Sequence, residues 1–234
     1  TLALAFSKAM DLAYNRIQFT PEVMPADVVG FSVYSRVTGK FEYRPGAALC
    51  NLLLADEINR TSAKTQSALL EVMEEGQATV DGVAHLLPRP YTVIATQNPV
   101  GSAGTQLLPE SQLDRFMIRI SIGYPALENE VRILKQARGA RAVDSVRPVV
   151  SLNDVTALQE EVESVHVAEE LFVYIARLVA ATREHPLIRL GASPRAGTAL
   201  LRISRASAWM NGRDYLIPAD VRALFHNVLE HRIV

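Results

Sequence analysis

The chain of 234 residues is 49% apolar and balances 24 Lys+Arg against 25 Asp+Glu. It can bury the core of one large domain or two modest ones, and its near-neutral charge argues against a broad electrostatic grip on nucleic acid. Cys50 is the single cysteine, which excludes a disulfide framework within one chain and favours a reducing, cytoplasmic setting with a buried structural thiol.

The opening stretch TLALAFSKAMDLAYNRI sets Leu2, Ala5, Phe6, Ala9 and Met10 at helical spacing. It lacks an initiator Met, a basic leader and a small-residue cleavage pattern, so we expect a helix cut at its beginning and a chain that is a fragment. RIQFT (16–20) is a short strand candidate. VVGFSVYSRVTGKFEYRPG (28–46) alternates apolar and polar residues about Thr38-Gly39 and predicts a hairpin. LLLA (52–55) has the continuous apolar character of a central strand in a parallel sheet. SAKTQSALLEVMEEG (62–76) predicts a helix stopped by Gly76, and ATVDGVAHLL (78–87) a second hairpin about Asp81-Gly82. YTVIATQNP (91–99) and FMIRISIGYP (116–125) are further strand candidates. Strands that alternate with helices point to an α/β fold with a parallel sheet.

From residue 126 the strand signals thin out. LENEVRILKQA, LNDVTALQEEVESV, AEELFVYIARLVAATREH, PRAGTALLRISRASAWM and PADVRALFHNVLEHRI each predict an amphipathic helix. Ser151 and Ser193 stand at N-cap positions, the latter ahead of Pro194 at a first helical position. RGARAVDSVRPVV (138–150) reads as a linker. No run reaches the roughly 18–20 apolar residues that span a bilayer, so no membrane insertion is expected. The expected organisation is an α/β core over 1–125 and a small all-helical domain over 126–234.

The chemistry concentrates where apolar strands end in polar residues. The carboxyl ends of parallel strands form the rim where ligands bind. LLLADE lifts Asp56 and Glu57 out of the core at that rim. One carboxylate can help hold a hydrated Mg²⁺ on a nucleotide, and the other can take a proton from an attacking water. A solvated acidic turn is the plain alternative for LLLADE alone. VIATQNP ends in Asn98, a neutral amide that can sit between Glu57 and a phosphate without repelling it. The five histidines show no metal-ligand spacing with one another or with Cys50. Trp209-Met210 and Phe225 are expected in the core of the helical domain or at a protein contact, and Arg60, on the same rim as the acidic pair, is a candidate for an interface.

LLLADEINRTSAKTQSALLEVMEEGQATVDG, VIATQNP, LPESQLDRFMIRISIGYP and GASPRA together resemble the MoxR group of AAA+ ATPases. The resemblance runs over the whole chain. It implies an AAA+ parallel-sheet nucleotide-binding core followed by a small all-helical lid domain. It further implies that Asp56 and Glu57 are the Walker B pair, Asn98 sensor 1, Arg115 an arginine finger reaching a neighbouring subunit, and Arg195 sensor 2. The two hairpins match the helix-2 insert and pre-sensor hairpin, which face the pore in related rings. The phosphate-binding pattern G-x-x-x-x-G-K-[ST] is missing from the residues at hand. In the family that loop ends where Thr1 stands, so Thr1 is either the Mg²⁺-facing hydroxyl residue or the one just after it. The implied function is Mg²⁺-dependent ATP hydrolysis by a homo-oligomeric ring, expected to be hexameric. It would remodel or mature protein clients, among them proteins with von Willebrand factor A domains. Two other classes stay open: a non-catalytic ring or scaffold module without a phosphate loop, and a DNA-acting AAA+ motor. Near-neutral charge and the absence of a GAFTGA loop count against the last.

Overall fold

The computed structural model describes residues 1–98, 108–136 and 142–234. They form two compact units, Thr1–Leu108 with Val146–Thr156, and Pro109–Ser145 with Ala157–Val234. Pro99 of the YTVIATQNP stretch and residues 138–141 of the expected linker lie outside the described residues.

In the first unit, helix α1 (Leu2–Ala9) leads into strand β1 (Tyr14–Gln18). β1 runs parallel to β4 (Leu52–Asp56), and β4 parallel to β7 (Thr92–Ala95), giving the order β1-β4-β7. The LLLA strand is therefore central, and Leu52, Leu53 and Ala55 are buried as a strand covered on both faces requires. Asn51 staples the amino ends of the three strands. Its Oδ1 accepts from the Ala13 N–H at 3.2 Å, and its Nδ2 donates to the Pro90 carbonyl at 2.9 Å.

Helix α3 (Ala63–Glu75) starts at Ser62, whose hydroxyl accepts the Thr65 N–H at 3.3 Å, and stops at a left-handed Gly76. Helix α2 (Pro25–Val29) precedes the hairpin of β2 (Gly30–Ser35) and β3 (Lys40–Pro45). The second hairpin, β5 (Gln77–Val80) and β6 (Val83–Leu86), turns through Asp81 and Gly82, both at positive φ as a two-residue primed turn demands. Tyr43 stacks on His85 at 3.6 Å between ring centroids and links the two hairpins. Cys50 is buried, and that burial pushes its thiol up to about 11. Such a thiol stays protonated, in line with a structural role. Helix α6 (Leu152–Ser164) opens on a reciprocal cap: the Ser151 hydroxyl accepts the Asp154 N–H, and the Asp154 carboxylate accepts the Ser151 N–H at 2.7 Å.

The second unit holds α4 (Glu110–Leu113), α5 (Leu127–Gln136), α6 from Ala157 onward, α7 (Glu169–Glu184), α8 (Pro194–Met210) and α9 (Pro218–Leu229). Leu171, Ile175, Leu200, Val221 and Val228 form its core, with Trp209 and Phe225 packed against them. Trp209 Nε1 donates to Glu161 at 3.0 Å, while Met210 faces out.

The strand expected over 116–125 is not formed. Strand character needs a ladder partner for the backbone, and none of the described strands supplies one. The Arg119 N–H instead donates to the Asn227 carbonyl at 2.8 Å, and Ile120, Ile122 and Tyr124 stay exposed. Alternating apolar residues alone therefore did not decide this segment.

Candidate functional site

Asp56 closes β4, opposite Gln18 of β1, at the carboxyl rim of the sheet. Its two oxygens are engaged from both neighbouring strands. The Thr96 hydroxyl, just past β7, donates to Oδ1 at 2.5 Å, and Arg16 on β1 donates to Oδ2 at 2.6 Å. These bonds, the Thr96 one foremost, hold the Asp56 carboxyl below the usual carboxylate range against the opposing effect of burial. Thr1 stands at the N-cap of α1, in the same compact unit as Asp56.

Glu57 takes the left-handed conformation at φ 56°, rare for a residue with a Cβ. Holding it there costs on the order of 1–3 kcal/mol. Thr96 fixes the turn: its hydroxyl accepts the Glu57 N–H at 2.9 Å and its carbonyl accepts the Ile58 N–H at 3.0 Å. The Glu57 carboxylate pairs with Arg60, three residues on, at 2.8 Å. Gln66 of α3 braces the turn from beneath by donating to the Ile58 and Thr61 carbonyls.

Asn98 follows β7 and faces out, with its backbone held by a neighbour from the acidic turn. Asn59, 1% exposed, accepts the Asn98 N–H at 3.4 Å and donates to the Asn98 carbonyl at 3.3 Å. Thr1, Asp56, Glu57 and Asn98 thus belong to one unit, with the last three knitted together by Thr96 and Asn59. Sequence reading named neither Thr96 nor Asn59. Both sit within the quoted motifs, and only their partners set them apart.

Arg115 and Arg195 belong to the second unit, and both are exposed. Arg115 follows α4, but no strand follows it. Asp114, its neighbour in the chain, pairs with Arg232 at 2.9 Å. Arg195 stands in the first turn of α8, its N–H donating to the Ser193 hydroxyl at 3.1 Å. A cation at a helix N-terminus is poorly placed unless an anion compensates it, and a phosphate is such an anion.

The donor set suits Mg²⁺ with a nucleotide. Mg²⁺ takes hard oxygen ligands, holding most of its waters and using one or two carboxylates beside phosphate. Asp56, an ionised carboxylate at the sheet rim, and the Thr1 hydroxyl are of that kind.

Residues 1–118 match the family model described as "ATPase family associated with various cellular activities (AAA)", and residues 180–234 match an AAA lid domain. The chain is 46% identical over 230 residues to the uncharacterized protein YeaC of Bacillus subtilis, spanning 98% of this chain and 72% of that protein. It is 39% identical over 244 residues to the chaperone MoxR1 of Mycobacterium tuberculosis, spanning all of this chain and 64% of that one. The chain belongs to the MoxR family of AAA+ ATPases. A crystal structure from Cytophaga hutchinsonii, of a protein named there as a candidate ATPase, superposes with a TM-score of 0.89 at 41% identity. It covers 98% of this chain and 72% of that one. A MoxR-family chain accordingly carries a parallel-sheet AAA domain and a helical AAA lid.

Proposed function

We propose that the full-length protein hydrolyses Mg·ATP and uses the energy to remodel or mature protein partners, as a cytoplasmic homo-oligomeric ring of six subunits. The reading is carried by one observation: Asp56 and Glu57 emerge at the rim of a parallel sheet on a turn that Thr96 holds in a strained conformation. Strain of that kind persists where the surroundings over-determine it, and it clusters at functional sites.

Each residue has a role its chemistry suits. Asp56, kept ionised by Thr96 and Arg16, would help hold the hydrated Mg²⁺, with the Thr1 hydroxyl or its neighbour as the second protein ligand. Bound Mg²⁺ and nucleotide supply the polarised phosphate that reacts. Glu57 orients the attacking water and accepts its proton. Asn98 contributes a neutral amide beside Glu57. Arg115 offers its guanidinium to the adjacent subunit's site, and Arg195 offers one from the lid, where cations in fixed places stabilise developing charge. Protein partners fit the MoxR1 relative, which is named a chaperone. We include among them proteins with von Willebrand factor A domains. Nucleic acid is not expected as a partner.

Glu57→Gln in the full-length protein tests this reading. Gln preserves shape and hydrogen bonding but cannot accept the proton, so binding of Mg·ATP persists while turnover stops. Asp56→Asn weakens the Mg²⁺ complex instead. Turnover by Glu57→Gln at the wild-type rate would overturn the assignment.

A further inference from the structure

The main chain on either side of Arg115 is gripped by one buried side chain. Arg232, just after α9, has a side chain 2% exposed. Its Nε donates to Asp114 Oδ1 at 2.9 Å, and its Nη2 to the Asp114 carbonyl at 3.1 Å and to the Phe116 carbonyl. Its Nη1 donates to the Met117 carbonyl at 3.1 Å and to the Val228 carbonyl. All five guanidinium N–H groups thus have acceptors. His231 also meets the Phe116 carbonyl, at 3.0 Å. The second oxygen of Asp114 accepts the hydroxyl of Ser193, the N-cap of α8, at 2.7 Å.

We propose that Arg232 is a positioning residue for Arg115. Through Asp114 and the carbonyls of residues 114, 116 and 117 it fixes the stretch from which Arg115 projects. Through Ser193 that stretch is tied to the first turn of the helix that carries Arg195. The two arginines are then carried by one hydrogen-bonded frame within the helical unit.

Two physical considerations favour this role over simple core filling. A buried ion pair is seldom the most stabilising way to fill a core, since apolar residues of like volume often do as well or better. A fork that satisfies main-chain carbonyls on a segment without regular structure does something apolar residues cannot: it selects one backbone conformation. Residues 116 and 117 have no ladder to fix them, so the guanidinium supplies that constraint through their carbonyls.

The proposal rests on the reading of Arg115 as an arginine finger, and the test separates the two. Arg232→Lys, Arg115→Ala and the double variant are prepared in the full-length protein, with thermal melts to establish folding. Lys keeps the charge but cannot fork to five acceptors. We expect Arg232→Lys to lower kcat by about 10²-fold, the scale of a small misplacement, with KM for Mg·ATP unchanged. In the Arg115→Ala background the same substitution should add no further loss. Without nucleotide, amides of residues 114–119 should exchange hydrogen faster in Arg232→Lys while those of α7 hold. Should Arg232→Lys not fold, Asp114→Asn, which keeps shape and loses charge, is expected to show the same pattern more weakly. A folded variant with wild-type kcat, an equal loss in both backgrounds, or unchanged exchange at 114–119 overturns the proposal. Wild-type turnover by Arg115→Ala alone overturns the finger reading, and the exchange result still judges the clamp.

Discussion

Thr96 carries more of the site than its place in the sequence suggests. Its hydroxyl donates to Asp56 and accepts from the Glu57 N–H, so one oxygen sets both the charge state of the first carboxylate and the turn that carries the second. Thr96→Val keeps the branched shape and removes both bonds. Hydrogen bonds to charged groups contribute about 1.5–3 kcal/mol, and Asp56 is only partly buried, so a loss of about 1–2 kcal/mol in unfolding free energy is expected. Turnover should fall further than stability accounts for, because Glu57 loses its anchor. A chemical melt and a steady-state assay on the same preparation check both; unchanged turnover would show that the turn is held without Thr96. Asp56 and Glu57 were legible because an apolar strand that ends in paired carboxylates is a local signal. Thr96, Asn59 and Arg232 were not, because each acts on a residue between 39 and 118 positions away. Nothing in their own flanking residues marks that.

At the scale of elements, caps and turns were the most readable features. Ser151 and Ser193 cap as their side chains dictate, and Asp81-Gly82 turns the second hairpin. The stretch 116–125 was misread because strand formation depends on a neighbouring ladder, which its own alternation does not supply. Two elements give predictions. At the base of the first hairpin, a Cβ on Gly46 would lie 2.4 Å from both the Gly30 nitrogen and the Val28 carbonyl oxygen. Main-chain atoms cannot yield as side-chain tips do, so Gly46→Ala should cost about 1–3 kcal/mol by overpacking, read from the denaturant midpoint. A melt unchanged from wild type would mean the hairpin base shifts freely. At the start of α9, Asp220 accepts the Ile217 N–H and a two-pronged pair from Arg213 at 2.6 and 2.8 Å. Arg213 foremost holds the Asp220 carboxyl below its usual range. A depressed folded value contributes stability that is present above the unfolded carboxylate value, about 4, and is lost as pH falls through the folded one. Asp220→Asn should therefore destabilise by about 1–3 kcal/mol near neutral pH, and the gap to wild type should narrow below about pH 4. A gap that stays constant through that range would remove the ion pair as its cause.

At the scale of the whole molecule, the candidate residues divide between the two compact units: Thr1, Asp56, Glu57 and Asn98 in one, Arg115 and Arg195 in the other. In the proposed ring that division has a reason to matter, since there an arginine finger would serve the nucleotide of the neighbouring subunit. Such a finger contributes roughly 10³–10⁵ in rate, so Arg115→Ala should abolish most turnover while each subunit still binds Mg·ATP. Mixing separates action in trans from action in cis. Full-length protein with Glu57→Gln supplies an intact Arg115 but cannot activate water. Protein with Arg115→Ala supplies an intact Glu57 but no finger. In a mixed ring some joints bring an unmodified Glu57 against a neighbour's unmodified Arg115, and activity should partly return as the proportions approach equality. Action in cis leaves every subunit defective at its own site, and no proportion restores turnover. Silence across all mixtures, with mixed rings shown to form, would place Arg115 outside its neighbour's site.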